Sequence, residues 1–280
     1  VSDSVEDRLG IRQIAFGNGV RLNIKRTDVK EDRITVRVAI DGGNLMATKD
    51  DPLAVYLTGS LSAGGLGKHS QDELSTVLAG RSGGFGMGAS TDSFVMSATT
   101  TPRDLELQMQ VFAALLTDPG YRAEGVERFR KSIDNYFGTL RSTPGRALSA
   151  VIGSELSDGD PRFTLQSKEA FKALDYEKLK AVIQDRLQNG AIEIGVIGDV
   201  DEDAAIAAVQ QTFASLSDRE EAFRPREDAR IRRFTQDRST RTIEHDGEAD
   251  QALLRMIWPA RDDRDLEETV ALQVLGRVLQ

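Results

Sequence analysis

Strand-like and helix-like segments are grouped along this sequence rather than alternated. Residues 33–40 alternate polar and apolar side chains and are rich in β-branched types, which is typical of a half-buried strand. A doubly wound parallel sheet needs strict alternation of strands and helices. The grouped order therefore predicts an α+β fold, with a mixed, mostly antiparallel sheet packed on one face by helices. The strands predicted before the last charged stretch are 20–26, 33–40, 83–88, 93–99 and 191–197.

Helix starts are marked by residues that cap free backbone N–H groups. Ser70 and Glu73 have the spacing of a capping box, and Thr143-Pro144 places a proline at the first helical position, where it is tolerated. Asp51-Pro52 opens an earlier helix in the same way, and Asp175 is the cap of a later one. The predicted helices are 53–61, 70–79, 101–116, 123–140, 143–156, 175–187 and 203–216.

Composition excludes several classes of function. The net charge of −9 argues against a nucleic-acid partner, because phosphate binding needs a basic surface. The absence of cysteine excludes disulfides, thiolate zinc sites and cysteine nucleophiles. The two histidines, His69 and His245, are too far apart in sequence for a local two-histidine zinc motif. No run of 18 apolar residues occurs, which predicts a chain without a membrane span.

A charged stretch separates the main pattern from a second, shorter one. Residues 217–241 contain 14 charged residues of 25 and little apolar periodicity, which is typical of a solvated linker. A new strand pair, at 240–245 and 252–258, and a helix at 265–279 are predicted after it. This second start repeats the strand–turn–helix order of the first.

The repeat sets the predicted domain boundaries. At a fixed offset of 218 residues, the strand 36–40 aligns with 254–258 without a gap. Both ends of the chain look cut, so we expect a piece of a longer protein. The predicted parts are a complete α+β domain at 11–216, a charged linker at 217–241, and the truncated start of a second copy at 242–280.

Four stretches of the chain carry a recognisable order and spacing. They are Asn18-Gly19-Val20-Arg21-Leu22; Ser70-Gln71-Asp72-Glu73-Leu74 with Gly83-Gly84-Phe85; Thr101-Pro102-Arg103-Asp104-Leu105-Glu106 with Leu116-Thr117-Asp118-Pro119; and His245-Asp246-Gly247-Glu248-Ala249-Asp250-Gln251-Ala252-Leu253-Leu254. In this order and spacing they resemble the insulinase/pitrilysin family of zinc metallopeptidases. The resemblance spans about residues 11–280 and implies the family's α+β fold, with tandem domains.

The residues that make the family catalytic are replaced here. Its active half carries His-x-x-Glu-His on one helix, with a further glutamate downstream as the third zinc ligand. By this resemblance Val55 and Gly59 stand at the histidine positions, Thr58 at the glutamate position, and Asn135 at the downstream ligand position. The resemblance therefore implies no catalytic residue, metal or cofactor in this segment, with zinc held by the catalytic half of the parent protein.

The resemblance also implies a function and partners. It indicates a non-catalytic domain that forms one wall of a peptide-enclosing chamber and assists binding of a peptide substrate. The zinc-bearing half lies either in the same chain or in a partner subunit. An Arg/Tyr pair that binds substrate in the family is expected beyond Gln280. Similar tandem-domain proteins are bacterial, which favours a periplasmic location.

Two other functions stay open at this point. One is an inactive assembly subunit of the same fold, like the core proteins of mitochondrial respiratory and processing complexes, which would bind a partner protein. The other is an unrelated α+β binding protein. A His-x-x-Glu-His segment upstream in the complete gene product favours the peptidase half over the assembly subunit.

One glycine-rich segment is the candidate substrate-binding site. It matches Gly-x-Gly-x-x-Ala, but a strand at 93–99 follows it where a dinucleotide site needs a helix, so no nucleotide cofactor is predicted. In the family's active half the matching strand is a sheet edge to which substrate peptide adds as a further strand. We therefore expect this segment either to contact peptide or only to line the chamber. The candidate residues are Gly84, Phe85, Gly86, Met87 and Gly88.

Overall fold

A computed structural model describes residues 2–6, 8–259 and 265–278 and places their strands in one sheet. The strands are β1 (Ser2–Glu6), β2 (Ile11–Ala15), β3 (Arg21–Arg26), β4 (Ile34–Asp41), β5 (Gly88–Ala89), β6 (Ser93–Thr100) and β7 (Ile192–Gly198). Their order in the sheet is β1-β2-β3-β7-β4-β6-β5. The pair β3–β7 is parallel and the other described pairs are antiparallel, so the prediction of a mixed, mostly antiparallel sheet is confirmed.

The helices begin at the predicted caps. Ser70 and Glu73 form the capping box, with the Glu73 amide donating to Ser70 Oγ at 3.2 Å and the Ser70 amide donating to Glu73 Oε2 at 2.8 Å. The side chains of Thr143 and Asp175 each accept a hydrogen bond from the backbone amide three residues later in the chain. The helices are α1 (Gln71–Val77), α2 (Leu105–Thr117), α3 (Ala123–Gly138), α4 (Pro144–Leu156), α5 (Lys168–Lys172), α6 (Tyr176–Asn189), α7 (Glu202–Gln211), α8 (Glu227–Arg230) and α9 (Leu266–Val278).

The core lies between one face of the sheet and the helices. Along β4, Ile34, Val36 and Val38 are fully buried, while Thr35 and Arg37 point to the opposite face and are exposed. β7 repeats this alternation, and α2, α6 and α7 pack over the buried face. The helices therefore cover one face of the sheet, as the sequence predicts. Their fully buried contributions include Met109, Phe112, Leu115, Ile183 and Val209.

The helix predicted at 53–61 takes a tighter form. Residues Tyr56–Gly64 are a 3₁₀ helix, in which the Thr58 amide donates to the Val55 carbonyl at 3.1 Å. The segment Tyr56–Gly64 is rich in glycine, serine and threonine, which are weak formers of α-helix. A 3₁₀ helix has about three residues per turn, so residues four apart do not share a face.

The strand predicted at 83–88 is mostly absent. Only Gly88 and Ala89 pair with β6, in register with Val95 and Phe94. The backbone before β5 forms hydrogen bonds with a side chain instead. The Gly84 amide donates to Gln108 Oε1 at 2.7 Å, and Gln108 Nε2 donates to the Gly84 carbonyl at 2.9 Å. These side-chain bonds replace ladder bonds and leave a coil beside β6.

The first part of the charged stretch is docked on the sheet rather than free in solvent. Asp41, at the end of β4, has no exposed surface and accepts from Arg226 Nη1 and Nη2, each at 2.7 Å. It also accepts from Arg186 Nη1 at 3.0 Å and the Arg224 amide at 2.9 Å. Burial alone would raise the Asp41 pKa, but the bonds from Arg226, Arg186 and the Arg224 amide outweigh it and lower the pKa.

We call residues 219–230 the strap. Besides the bonds to Asp41, the Arg219 amide donates to the Asn18 carbonyl at 2.8 Å, and the Glu220 amide to the Asn189 carbonyl at 2.9 Å. Arg230 Nη2 reaches Asp92 at 2.7 Å, in the turn between β5 and β6. A solvated linker is therefore the wrong description of these residues, although the domain boundaries 11–216, 217–241 and 242–280 stay a prediction.

The strands predicted at 240–245 and 252–258 are wrong. Neither segment pairs with a strand among the residues that the structure describes, and Leu254, Met256 and Trp258 are exposed. A two-stranded unit needs further strands or a packed helix to be stable, and these residues have neither. α9 agrees with the helix predicted at 265–279, of which residue 279 lies outside the described residues.

Candidate functional site

The three positions expected to replace the zinc motif lie at the start of the 3₁₀ helix. Val55 is buried, and Gly59 is exposed. Thr58 is fully buried, and its Oγ1 donates to the Val55 carbonyl at 2.7 Å, so its hydroxyl is occupied by the backbone. Valine and glycine have no metal-binding side-chain atom. The residues present here do not fit a zinc ion.

The downstream position lies on α3, which packs against the same 3₁₀ helix. The approach is close, because a side chain at Gly125 of α3 would lie 3.1 Å from the amide nitrogen of Gly64, at the end of the 3₁₀ helix. Asn135, in the last turns of α3, is exposed. The structure thus brings the 3₁₀ helix and α3, which carry the four expected positions, side by side, and the assignment of Asn135 to the third-ligand position stays a prediction.

The candidate peptide-binding segment is next to this helix pair. β5 is the edge strand of the sheet and packs against the 3₁₀ helix. Met87 is buried in the core, whereas Gly84, Phe85, Gly86 and Gly88 are partly exposed. The structure therefore places these five residues at a sheet edge, and their contact with peptide stays a prediction.

The glycines in this segment have different roles. A side chain at Gly84 would meet Ala98 Cβ at 3.0 Å and the Ser97 carbonyl at 3.2 Å, so Gly84 allows the coil to lie against β6. Side chains at Gly86 and Gly88 would point into open space. Gly84 thus packs against β6 of the same chain, whereas Gly86 and Gly88 face open space at the sheet edge.

Sequence reasoning missed an aromatic cluster beside the replaced ligand positions. Tyr56 follows Val55 in sequence, and its ring lies 4.7 Å from that of Phe171 and 5.9 Å from that of Phe129. The chain of contacts continues from Phe171 through Phe137 to Tyr136, which follows Asn135. Burial, with a smaller contribution from Tyr136, raises the pKa of Tyr56. The adjacency of these tyrosines to the replaced positions is the signal that could have found the cluster.

Two cavities open on the helical side. One, of about 240 Å³, lies between α1, the coil 81–85 and α2. The other, of about 750 Å³, lies between α3, α4, residues 165–167 and residues 243–246. The first shares Gly84 and Phe85 with the predicted peptide-binding segment, which joins the pocket to the sheet edge.

Neither histidine lies in a cluster of ligands. His245 Nδ1 accepts from the Gly247 amide at 3.1 Å, and Nε2 faces the Gln251 carbonyl at 3.0 Å, so its partners are backbone groups. Within the described ranges, no three histidine, aspartate or glutamate side chains are arranged to hold a metal ion. Those ranges also contain no helix with the length and hydropathy of a membrane span.

Comparison with known proteins relates part of the chain to a family. Residues 173–280, which begin just after α5, match the family model of the peptidase M16 inactive domain. These residues are therefore similar to the inactive domain of the M16, or insulinase, peptidases. A curated relative, the chloroplastic stromal processing peptidase of Arabidopsis thaliana, is 22% identical over 198 residues, which is 69% of this chain. The chain spans only 16% of that relative's length.

Solved structures of M16 proteins share the fold. The first half of the periplasmic protease PqqL from Escherichia coli superposes with a TM-score of 0.62 at 16% identity, over 80% of this chain and 50% of that one. An M16 inactive domain from Pseudomonas fluorescens superposes with a TM-score of 0.60 at 18% identity, over 74% of this chain and 51% of that one. The ferredoxin protease FusC, solved in complex with Arabidopsis ferredoxin, superposes with a TM-score of 0.64 at 15% identity, over 78% of this chain and 24% of that one. The insulinase-type fold predicted from the sequence is confirmed.

Proposed function

We propose that this chain is a non-catalytic unit that encloses peptide together with a zinc-bearing half. That half belongs to the same chain or to a partner subunit, and this unit forms the opposite wall of the chamber. One observation carries the proposal. Val55, Thr58, Gly59 and Asn135 lack the chemistry of the family's zinc site, while the sheet edge at β5 is retained next to them.

Zinc content and peptide cleavage by the purified chain test the non-catalytic role. We expect no stoichiometric zinc by atomic emission and no cleavage of a quenched fluorescent peptide library. Chelator-sensitive cleavage, or one zinc per chain, would contradict the proposal. Addition of the zinc-bearing half should produce cleavage that depends on both components.

Peptide contact at the sheet edge is tested by blocking its open side. A side chain at Gly86 meets no atom within 4 Å, so Gly86→Val should fold normally and weaken peptide binding by crowding the edge. Gly17→Val is the matched control, because Gly17 is equally open and lies in the turn before β3. Equal peptide affinity for both variants would indicate that the edge lines the chamber without contacting peptide.

The assembly-subunit alternative has one supporting observation. Leu254, Met256 and Trp258 are exposed, which suits a surface that contacts another protein. Under this alternative the chain would co-purify with a partner of fixed stoichiometry and would not bind peptide. Affinity purification of the chain at its natural expression level, followed by peptide-binding measurements on the same sample, separates the two functions.

A periplasmic location in a bacterium is part of the proposal. Its support is the sequence resemblance to bacterial tandem-domain members of the family. Cell fractionation with an antibody against this chain tests it, and recovery with cytoplasmic markers alone would contradict it.

A further inference from the structure

The smaller cavity is a built pocket beside the candidate edge. Its apolar lining comes from both flanking helices and the coil, and its volume of about 240 Å³ exceeds the roughly 150 Å³ apolar cavity that is known to bind benzene. A leucine or phenylalanine side chain therefore fits. The apolar lining residues are Leu74, Leu78, Phe85, Leu107 and Val111.

The coil that forms one wall is held in place. Gln108, which is buried, bonds both backbone groups of Gly84. The Ser82 amide donates to Asp104 Oδ2 at 2.9 Å, and its carbonyl accepts from Thr100 Oγ1 at 2.7 Å. The wall is thus formed before any ligand binds, which lowers the entropic cost of binding.

One end of the pocket carries an excess positive charge. Arg81 lines it, and Arg81 Nη1 donates to Asp104 Oδ1 at 3.1 Å. Arg103 also donates to the Asp104 carboxylate, at 3.2 and 3.1 Å, so one buried carboxylate serves two guanidinium groups. Hydrogen bonds from Arg103 and the Ser82 amide hold the Asp104 pKa well below its ordinary value, so the carboxylate stays charged.

Arg81 has donors left for a ligand. Its side chain is 50% exposed, and its Nε and Nη2 make no hydrogen bond within the described part of the chain. The pocket lining contains no acidic residue. On α1, Glu73 is engaged by Ser70, and Asp72 lies 3.7 Å from Arg128. A carboxylate entering the pocket would therefore meet Arg81 and no acidic side chain of the lining, while Asp104, behind Arg81, is shared with Arg103.

We propose that this pocket binds the C-terminal residue of a peptide. The apolar side chain of that residue lies among Leu74, Leu78 and Leu107, and its carboxylate accepts hydrogen bonds from Arg81. A C-terminal residue carries both groups on one α-carbon, which matches an apolar cavity of this size with a cation at one end. The inference rests on the proposed function, since it assumes that the chain contacts peptides.

Two peptides of the same sequence ending in leucine test it, one with a free carboxylate and one amidated. Fluorescence anisotropy on the full chain should give roughly tenfold tighter binding of the free acid, as expected for a charge-assisted hydrogen-bonded pair. Arg81→Gln should remove the difference. Arg103→Gln is the matched control, because Arg103 shares Asp104 but does not line the pocket, and it should keep the difference.

A second variant tests the apolar part. Leu107→Ser should weaken binding of the free-acid peptide several-fold, with an unchanged melting temperature, because Leu107 is only half-buried. Equal binding of acid and amide would overturn the inference and leave the proposed function intact. Failure to bind either peptide would overturn both. Equal losses in Arg81→Gln and Arg103→Gln, or tight binding of an amidated peptide with an internal glutamate, would also overturn the C-terminal assignment.

Discussion

The strap and the residues that follow it differ in a way that composition does not suggest. The strap is highly charged, yet Asp41, Arg186 and Arg226 tie it to the sheet through short hydrogen bonds. Residues 252–258 are apolar, yet Leu254 and Trp258 are exposed. A charged segment docks when each charge finds a partner, whereas an apolar segment packs only if a complementary surface exists. The predictions below test this contrast.

The largest expected effect is at Asp41. Asp41→Ala leaves Arg186 and Arg226 without their shared buried carboxylate, and removing one partner of a buried ion pair costs about 3–5 kcal/mol. Urea unfolding followed by far-UV circular dichroism measures the loss. Asp237→Ala is the control, because Asp237 is an exposed partner of Arg241, and it should leave the unfolding free energy unchanged. A similar result for both variants would mean that the strap does not depend on Asp41.

A smaller effect is expected at Arg226. Arg226→Lys keeps the charge but loses the two-pronged contact with Asp41, which should cost about 1.5 kcal/mol. Amide hydrogen exchange should rise across residues 219–230 while the sheet stays protected. Arg241→Lys, which alters an exposed ion pair, should change neither the unfolding free energy nor the amide exchange of the strap. Unchanged exchange in the strap of Arg226→Lys would show that charge alone docks it.

Acid should release the strap partially. The Asp41 pKa is lowered, and hydrogen bonds from Arg186 and then Arg224 hold the Glu220 pKa at about 2. Both folded pKa values lie below the unfolded ones of about 3.8 and 4.5, so this stabilisation is full above pH 4.5 and is lost as pH falls towards 2. Unfolding free energy measured against pH should show this fall, and it should be shallower in Asp41→Ala. A loss that begins near pH 6 would contradict the assignment of this stabilisation to Asp41 and Glu220.

The smallest effect is expected in the apolar segment. Trp258, the single tryptophan, is 69% exposed. Its fluorescence should match hydrated indole and should not shift in urea, and Leu254→Ser should change stability by less than about 0.5 kcal/mol. A blue-shifted native emission would show that residues 252–258 pack against another surface, which would remove the contrast with the strap.

Local patterns predicted most of the fold. The alternation at 33–40 and the caps at Ser70, Thr143 and Asp175 depend on neighbours within four residues, and the structure has them as predicted. The 3₁₀ form of Tyr56–Gly64 was missed because apolar spacing at 53–61 resembles an α-helix, while its glycine, serine and threonine content decides against one. The coil at 83–87 was missed because Gln108, a distant residue, takes the backbone bonds of Gly84.

The candidate site was predicted less completely than the fold. The positions of Val55, Thr58, Gly59 and Asn135 came from resemblance, and their proximity required the packing of α3 on the 3₁₀ helix. The pocket at Arg81 depends on a carboxylate 23 residues away, and the strap depends on pairs separated by 145 and 185 residues. Ion pairs at such separations leave no periodic signal in one sequence, so charge count alone indicated a free linker.

The place of β7 in the sheet governs the order in which this chain can fold. It lies between β3 and β4, which precede it by about 170 and 150 residues. Until β7 has emerged from the ribosome, the meander β1–β2–β3 and the pair β4–β6 share no strand between them. Closing such long loops is slow, so the nascent chain exposes two unpaired sheet edges until β7 pairs with β3 and β4. A late central strand therefore lengthens the time during which these two sheet edges are open to pairing with other chains, whatever the stability of the finished fold.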